Sequence, residues 1–149
     1  MTLLPDFVES SYCQIPLLKA MGMTVAEYDG NRLSLAFPLA PNINDKGTGF
    51  AGSLNAATTY CAWSLLHLFL KQKGFYLDLA VVSSQSEYRL PITADFRVES
   101  YLPATDILKT FIVKLEQKGK GSLVLESRIK QGVEVAVYYQ GTYVAFPKS

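Results

Sequence analysis

Asn44-Asp45-Lys46-Gly47-Thr48-Gly49-Phe50-Ala51-Gly52-Ser53-Leu54-Asn55 decides how this chain is read, together with the apolar run that follows it to Leu70. The first half reads as a loop, because Gly47, Gly49 and Gly52 allow tight or left-handed backbone. Ser53 is placed to cap a helix starting near Leu54. No charged residue occurs from Gly47 to Leu70. Leu54, Ala57, Cys61, Leu65 and Leu68 fall on one helical stripe, and Ala56, Tyr60, Trp63 and Leu70 on another. A helix apolar on most of its circumference is buried rather than laid on a surface. A glycine-rich loop thus brings backbone N–H groups to the start of a buried helix. That arrangement attracts anions and developing negative charge.

Outward from this stretch, the pattern before it predicts a short helix over Leu3 to Leu18, with Pro5 in its first turn and Pro16 ending it. Two strands follow, Met23 to Tyr28 and Arg32 to Pro38, joined by the turn Asp29-Gly30-Asn31. The central helix is predicted to stop near Lys71-Gln72-Lys73-Gly74, with cations in its last turn and a glycine beyond. From Leu77 the period becomes two. Strands are predicted at Leu77 to Leu90, Phe96 to Tyr101, Ile107 to Gln117, Ser122 to Gln131 and Val133 to Phe146. Short turns between them imply an antiparallel sheet. The sum is a single α+β domain over residues 1–149, one sheet wrapped around one long helix.

Composition narrows the function. A net charge of +1 and no long Lys/Arg run give no field for nucleic acid. Cys13 and Cys61 stand far apart in no metal spacing, so free thiols, a reducing cytoplasmic setting and no metal or cofactor are expected. Met1 to Val8 has no basic start and contains Pro5 and Asp6, so no leader is read there. The uncharged run is long enough to raise a membrane span. Asn55, Thr58, Thr59, Ser64 and His67 dilute it, and no span is expected.

Gly47-Thr48-Gly49-Phe50-Ala51-Gly52 matches G-x-G-x-x-G ahead of a helix. A dinucleotide site needs an apolar strand before that motif and a parallel strand after it. Pro41-Asn42-Ile43-Asn44-Asp45 precedes it here, and antiparallel hairpins follow. The stretch instead resembles the hot-dog superfamily of acyl-thioester enzymes. Many of its thioesterases carry Asn-x-x-Gly-x-x-His-Gly-Gly at this loop, a pattern that falls on Asn44, Gly47, Phe50, Ala51 and Gly52. Tyr88-Arg89-Leu90-Pro91-Ile92 with Asp95-Phe96 resembles the family's passage from its long strand to the next. The run into Ser53-Leu54, with Ala62-Trp63, is similar to the branch named after the YiiD carboxy-terminal domain. The resemblance implies a hot-dog fold and a homodimer in which the strands Leu77 to Tyr88 pair edge to edge. It further implies sites at the dimer interface, and acyl-carrier protein or CoA thioesters as partners.

Two positions depart from the hydrolase pattern. Phe50 stands where the histidine would be, and Thr59 where many family thioesterases place an acid on the central helix. That acid is a general base or nucleophile, and a threonine alone is neither at neutral pH. Malonyl decarboxylation, an activity ascribed to the branch, needs no base to begin. It needs donors for a thioester enolate. Asn44 and Thr59 are therefore the expected catalytic residues. Thr48, Phe50, Gly52 and Ser53 are the expected substrate-binding residues, with the Gly52 and Ser53 N–H groups and the Asn44 amide as oxyanion donors. Acyl-thioester hydrolysis, a non-catalytic acyl-thioester-binding module and a purely structural dimerisation domain stay open. For Asn44 alone an Asx-turn is the plain alternative, and for Thr59 a bond back to a helix carbonyl.

Overall fold

The structure, a computed structural model, describes residues 3–149, with side chains from Pro5 onward. Met1 and Thr2, at the head of the segment read above for a leader, lie outside the described residues. The elements are α1 (Leu3–Gln14), α2 (Pro16–Ala20), β1 (Thr24–Tyr28), β2 (Arg32–Phe37) and α3 (Ala51–Gln72). They continue with β3 (Leu77–Tyr88), β4 (Phe96–Tyr101), α4 (Thr105–Lys118), β5 (Gly121–Gln131) and β6 (Glu134–Pro147). A 3-10 turn over Ala40–Asn42 precedes the glycine loop. One antiparallel sheet has the order β1-β2-β4-β5-β6-β3, and α3 lies along its inner face.

Strand alternation builds that inner face. Leu33, Leu35 and Phe37 of β2, Phe96 and Val98 of β4, and Leu123, Leu125 and Ile129 of β5 are all buried. Side chains two apart share a face of the pleat, so these residues meet α3 while Arg32, Arg97, Glu126 and Arg128 point outward. The stripe Leu54, Ala57, Cys61, Leu65 and Leu68 is buried as expected, each at 3 % exposure or less.

Hydrogen bonds as well as apolar contact seat α3 on the sheet. Ser127 Oγ donates to the Thr58 carbonyl at 2.8 Å, and Tyr143 Oη donates to the Thr59 carbonyl at 2.8 Å. Ser100 Oγ shares a hydrogen with Ser127 Oγ at 2.5 Å, and Tyr139 Oη with Tyr143 Oη at 2.8 Å. Buried hydroxyls of this kind need partners, and here the partners are helix carbonyls with a second lone pair free. Burial, then the neighbouring Tyr139 hydroxyl, pushes the Tyr143 phenol above its ordinary pKa, so it stays a neutral donor.

Three expectations are corrected. Ile107 to Gln117 is not a strand but most of α4. Its apolar residues fit the helical spacing Leu108, Phe111, Ile112 and Leu115, with Phe111 and Leu115 buried in a cluster with Leu66 and Phe69 of α3 and Leu123 of β5 while Val113 is exposed. Gly119, at φ +73°, ends that helix in the left-handed conformation a glycine C-cap provides. Pro16 does not simply stop a helix; it opens α2 at a first-turn position that needs no N–H. Ser53 does not cap α3, which starts earlier, with Phe50 at the N-cap position and no side-chain cap. Neighbouring backbone fixes that start instead. Phe50 N–H donates to the Asn42 carbonyl at 2.7 Å, Gly49 N–H to the Ile92 carbonyl at 2.8 Å, and Leu54 N–H to the Phe50 carbonyl at 3.0 Å.

Candidate active site

The loop from Asn44 to Gly49 is closed by Asn44 itself. Its amide nitrogen donates to Thr48 Oγ1 at 2.8 Å and, at 3.4 Å, to the Gly49 carbonyl. Its Oδ1 accepts from the backbone N–H of Lys46 at 2.8 Å and of Thr48 at 3.0 Å. Gly47 takes φ +77°, a left-handed conformation at the turn. The Asx-turn geometry is thus present, and the Asn44 amide is engaged within the loop rather than pointing free. Asn42, which the sequence did not single out, does comparable work. It is buried at 1 % exposure, and its amide donates to the Met21 and Pro38 carbonyls at 2.9 and 2.8 Å. Pro41-Asn42 beside the loop was the available signal, but nothing in the sequence separates its role from that of Asn44.

The closed loop delivers α3 with an open end. Among the described residues, the N–H groups of Ala51, Gly52 and Ser53 have no hydrogen-bond partner. Positive partial charge therefore gathers at this terminus. The Phe50 ring folds over Gly52, where an added Cβ would meet it, and is 52 % exposed. A cleft of about 280 Å³ opens beside the terminus, lined in part by Asn44, Thr48, Ala51, Tyr88 and Arg89.

One stripe of α3 is uncovered. Gly52, Asn55, Thr59, Trp63, His67 and Lys71 are exposed or half-buried, spaced so that they follow one side of the helix. The apolar run is thus not wrapped all round. Edge strand β3 flanks the stripe: Tyr88 Oη reaches the Ala51 carbonyl at 3.5 Å, Ser86 Oγ reaches Asn55 Oδ1 at 3.4 Å, and Trp63 Nε1 donates to the Leu79 carbonyl at 3.4 Å. The polar run Ser83 to Ser86 therefore turns part of its side chains, Ser86 among them, toward the stripe. Thr58 Oγ1 bonds back to the Leu54 carbonyl at 2.9 Å, a structural role. Thr59 Oγ1 has no partner among the described residues and lies on the stripe.

The remaining reactive groups are elsewhere. Burial pushes the Cys61 thiol up to about 12, so it is neutral and inert. Asp45 pairs with Lys46 at 3.2 Å on the surface, and Glu87 with Arg89 at 3.2 Å. His67 stacks on Trp63 at 4.9 Å between centroids, well along α3 from the loop. Burial first, then Lys71 and Lys148, holds its imidazole below the ordinary histidine pKa. Such a group binds fewer protons folded than unfolded. Its contribution to stability is full above its unfolded pKa of about 6.5 and is lost progressively as pH falls from there through the lower folded pKa. Thermal stability is therefore expected to fall more steeply below about pH 6.5 in the native protein than in His67→Gln. Parallel melting-temperature profiles for the two would remove His67 as the cause.

Among the described residues no helix is long and apolar enough to cross a membrane. A family model described as "Putative thioesterase (yiiD_Cterm)" matches residues 6–147. Solved structures with the same architecture include a protein with unknown function from Chlorobaculum tepidum, 28% identical, with a TM-score of 0.89 and 98% of each chain covered. Another is described as a "putative thioesterase" from Shewanella oneidensis, 25% identical, with a TM-score of 0.88, covering 98% of this chain and 99% of that one. A thioesterase from Haemophilus influenzae, at 8% identity and a TM-score of 0.72, shares the fold, covering 92% of this chain and 87% of its own. The glycine loop, the central helix and the antiparallel sheet are thus the parts of a hot-dog fold, and the chain belongs to the thioesterase family of the YiiD carboxy-terminal type.

Proposed function

We propose that this chain acts on thioesters of acyl-carrier protein or CoA, and that its reaction is decarboxylation of a malonyl thioester. The chemistry of the strip beside the free α3 amides carries the reading. Gly52, Asn55 and Thr59, with Ser86 and Tyr88 opposite, offer hydrogen-bonding groups and no carboxylate, imidazole or thiol. Hydrolysis wants a base or nucleophile there. Decarboxylation wants neither. The bond from the α-carbon to the carboxylate breaks, and its electron pair moves into the thioester carbonyl. Carbon dioxide leaves, and the enolate oxygen carries the negative charge. A proton from water then reaches the α-carbon and gives the acetyl thioester.

The Gly52 and Ser53 N–H groups are the donors assigned to that oxygen, and one such donor is worth about 10²–10³ in rate. Thr59 and Thr48 orient the carboxylate without adding negative charge. Phe50 shields the Gly52 amide from water. Asn44 acts by holding the loop that presents the amides. Pairing of the free edge of β3 with a second copy of β3 completes the site; a twelve-residue edge carrying exposed Val81 and Val82 would otherwise invite aggregation.

The test is to incubate the protein with malonyl-carrier protein, and separately with acetyl and long-acyl thioesters, and to follow products by mass. The expected result is malonyl converted to acetyl with the thioester intact, lost in Asn44→Ala. Release of free thiol from all substrates alike would replace this reaction with plain hydrolysis. Binding with no turnover would make the chain a thioester-binding module.

A further inference from the structure

An aromatic stack crosses the uncovered stripe of α3. Tyr60 and Trp63 lie nearly parallel with centroids 5.5 Å apart, and Trp63 and His67 with centroids 4.9 Å apart. The stack is tied down on both sides. Tyr60 Oη shares a hydrogen with Ser11 Oγ of α1 at 2.6 Å, and the Trp63 indole N–H reaches the Leu79 carbonyl of β3 at 3.4 Å. α1 and β3 are the two flanks of the stripe, so the stack spans it from wall to wall. Both faces of the indole are covered, and swinging it aside breaks two ring contacts and a hydrogen bond.

The two sides of this barrier differ. Toward the α3 terminus the floor is Gly52, Asn55 and Thr59, small and polar. Beyond it lies a separate cleft of about 350 Å³ between α1 and α3, reached by Asp6, Ser10 and Lys71. At about 1.5 Å of rise per residue, Trp63 stands roughly 12 Å along the helix from Asn55. Resting on the thioester reading above, we propose that Trp63 closes the acyl channel and restricts this protein to short acyl groups. A short acyl group held at the Ser53 amide fits before the indole. A long one must displace it, and the polar floor returns little apolar contact for doing so.

The experiment compares wild type, Trp63→Ala and Trp63→Phe. Each is given malonyl, ethylmalonyl, hexylmalonyl and tetradecylmalonyl thioesters for turnover, whose decarboxylation yields the acetyl, butyryl, octanoyl and palmitoyl products. The matching non-hydrolysable CoA thioethers are titrated by calorimetry, and circular dichroism checks folding. Wild type is expected to favour short groups in both assays. Trp63→Ala should raise the long-to-short ratio by about tenfold or more, and Trp63→Phe should keep the wild-type preference. A wild-type profile that is flat or rises with chain length overturns the proposal, whether or not Trp63→Ala folds. So does an unchanged ratio in folded Trp63→Ala. Short-chain preference in binding without any turnover would remove the enzymatic reading and leave the length limit standing. No binding at any length would remove both.

Discussion

Ser53→Pro is expected to lower malonyl turnover by about 10²–10³ relative to Ser53→Ala, with the fold kept. Proline deletes one N–H, and at this position that N–H has no partner among the described residues. First-turn proline is tolerated, because the carbonyl its ring would meet in a helix interior belongs to a residue outside the helix. The preceding Gly52 has no Cβ to clash with the ring. Ser53→Ala removes the hydroxyl and leaves the N–H, so the comparison isolates the amide. The measurement is kcat for malonyl conversion in both variants, beside their melting temperatures. Equal rates would show that the Ser53 amide does not face the developing oxyanion. Equal losses in both would move the role to the hydroxyl.

The largest stability effect is expected at Gly141. Its backbone needs no unusual φ; the constraint is space. A Cβ there would lie 2.5 Å from Tyr139 Oη and 2.9 Å from Tyr143 Cε1. Both rings are fully buried, and their hydroxyls are bonded to each other and to the Thr59 carbonyl. In an open strand position, replacing glycine would stabilise by about 0.5–1 kcal/mol. Overpacking a site that cannot yield costs about 1–3 kcal/mol or more, and here it wins. Gly141→Val is therefore expected to lose about 3 kcal/mol, a fall in melting temperature of roughly 6–12 °C for a chain of this size. Gly141→Ala should lose less, and adding Tyr139→Phe should recover part of that loss by removing the atom the methyl meets. A melting temperature at or above wild type for Gly141→Val would mean that the tyrosine pair yields.

The sequence was most legible where one physical signal dominated. β2 alternates Leu33, Leu35 and Phe37 with Arg32, Ser34 and Ala36, and the run to Leu70 that forms most of α3 is uncharged, with a glycine stop at Gly74. The loop followed from its glycines. α4 was misread because Ile107, Thr110, Ile112 and Val113 are β-branched and because Phe111, Val113 and Leu115 alternate. The competing helical period through Leu108, Phe111, Ile112 and Leu115, with Gly119 beyond, is also in the sequence, and burial of Phe111 and Leu115 decides for it. The start of α3 was misplaced because Ser53 has cap chemistry, whereas contacts distant in sequence, from Asn42 and Ile92, set the boundary. At the candidate site, sequence brought Asn44, Thr48, Phe50, Gly52 and Ser53 together as neighbours in one loop. It did not tell that the Asn44 amide is turned inward, or that Trp63 and Tyr60 are bridged to β3 and α1. Side-chain hydrogen bonds across many residues leave no periodic trace.

The seating of α3 has a further consequence. The hydroxyls of Ser127 and Tyr143 grip the carbonyls of Thr58 and Thr59, not their side chains. Every amino acid offers the same carbonyl, so the grip is indifferent to what residue 59 is. The position facing the open stripe can change its chemistry, from hydroxyl to acid or amide, while the helix that presents it stays docked. Scaffold and reagent are thereby separate parts, and a lineage built on this frame is free to exchange one reaction for another without first re-solving its fold.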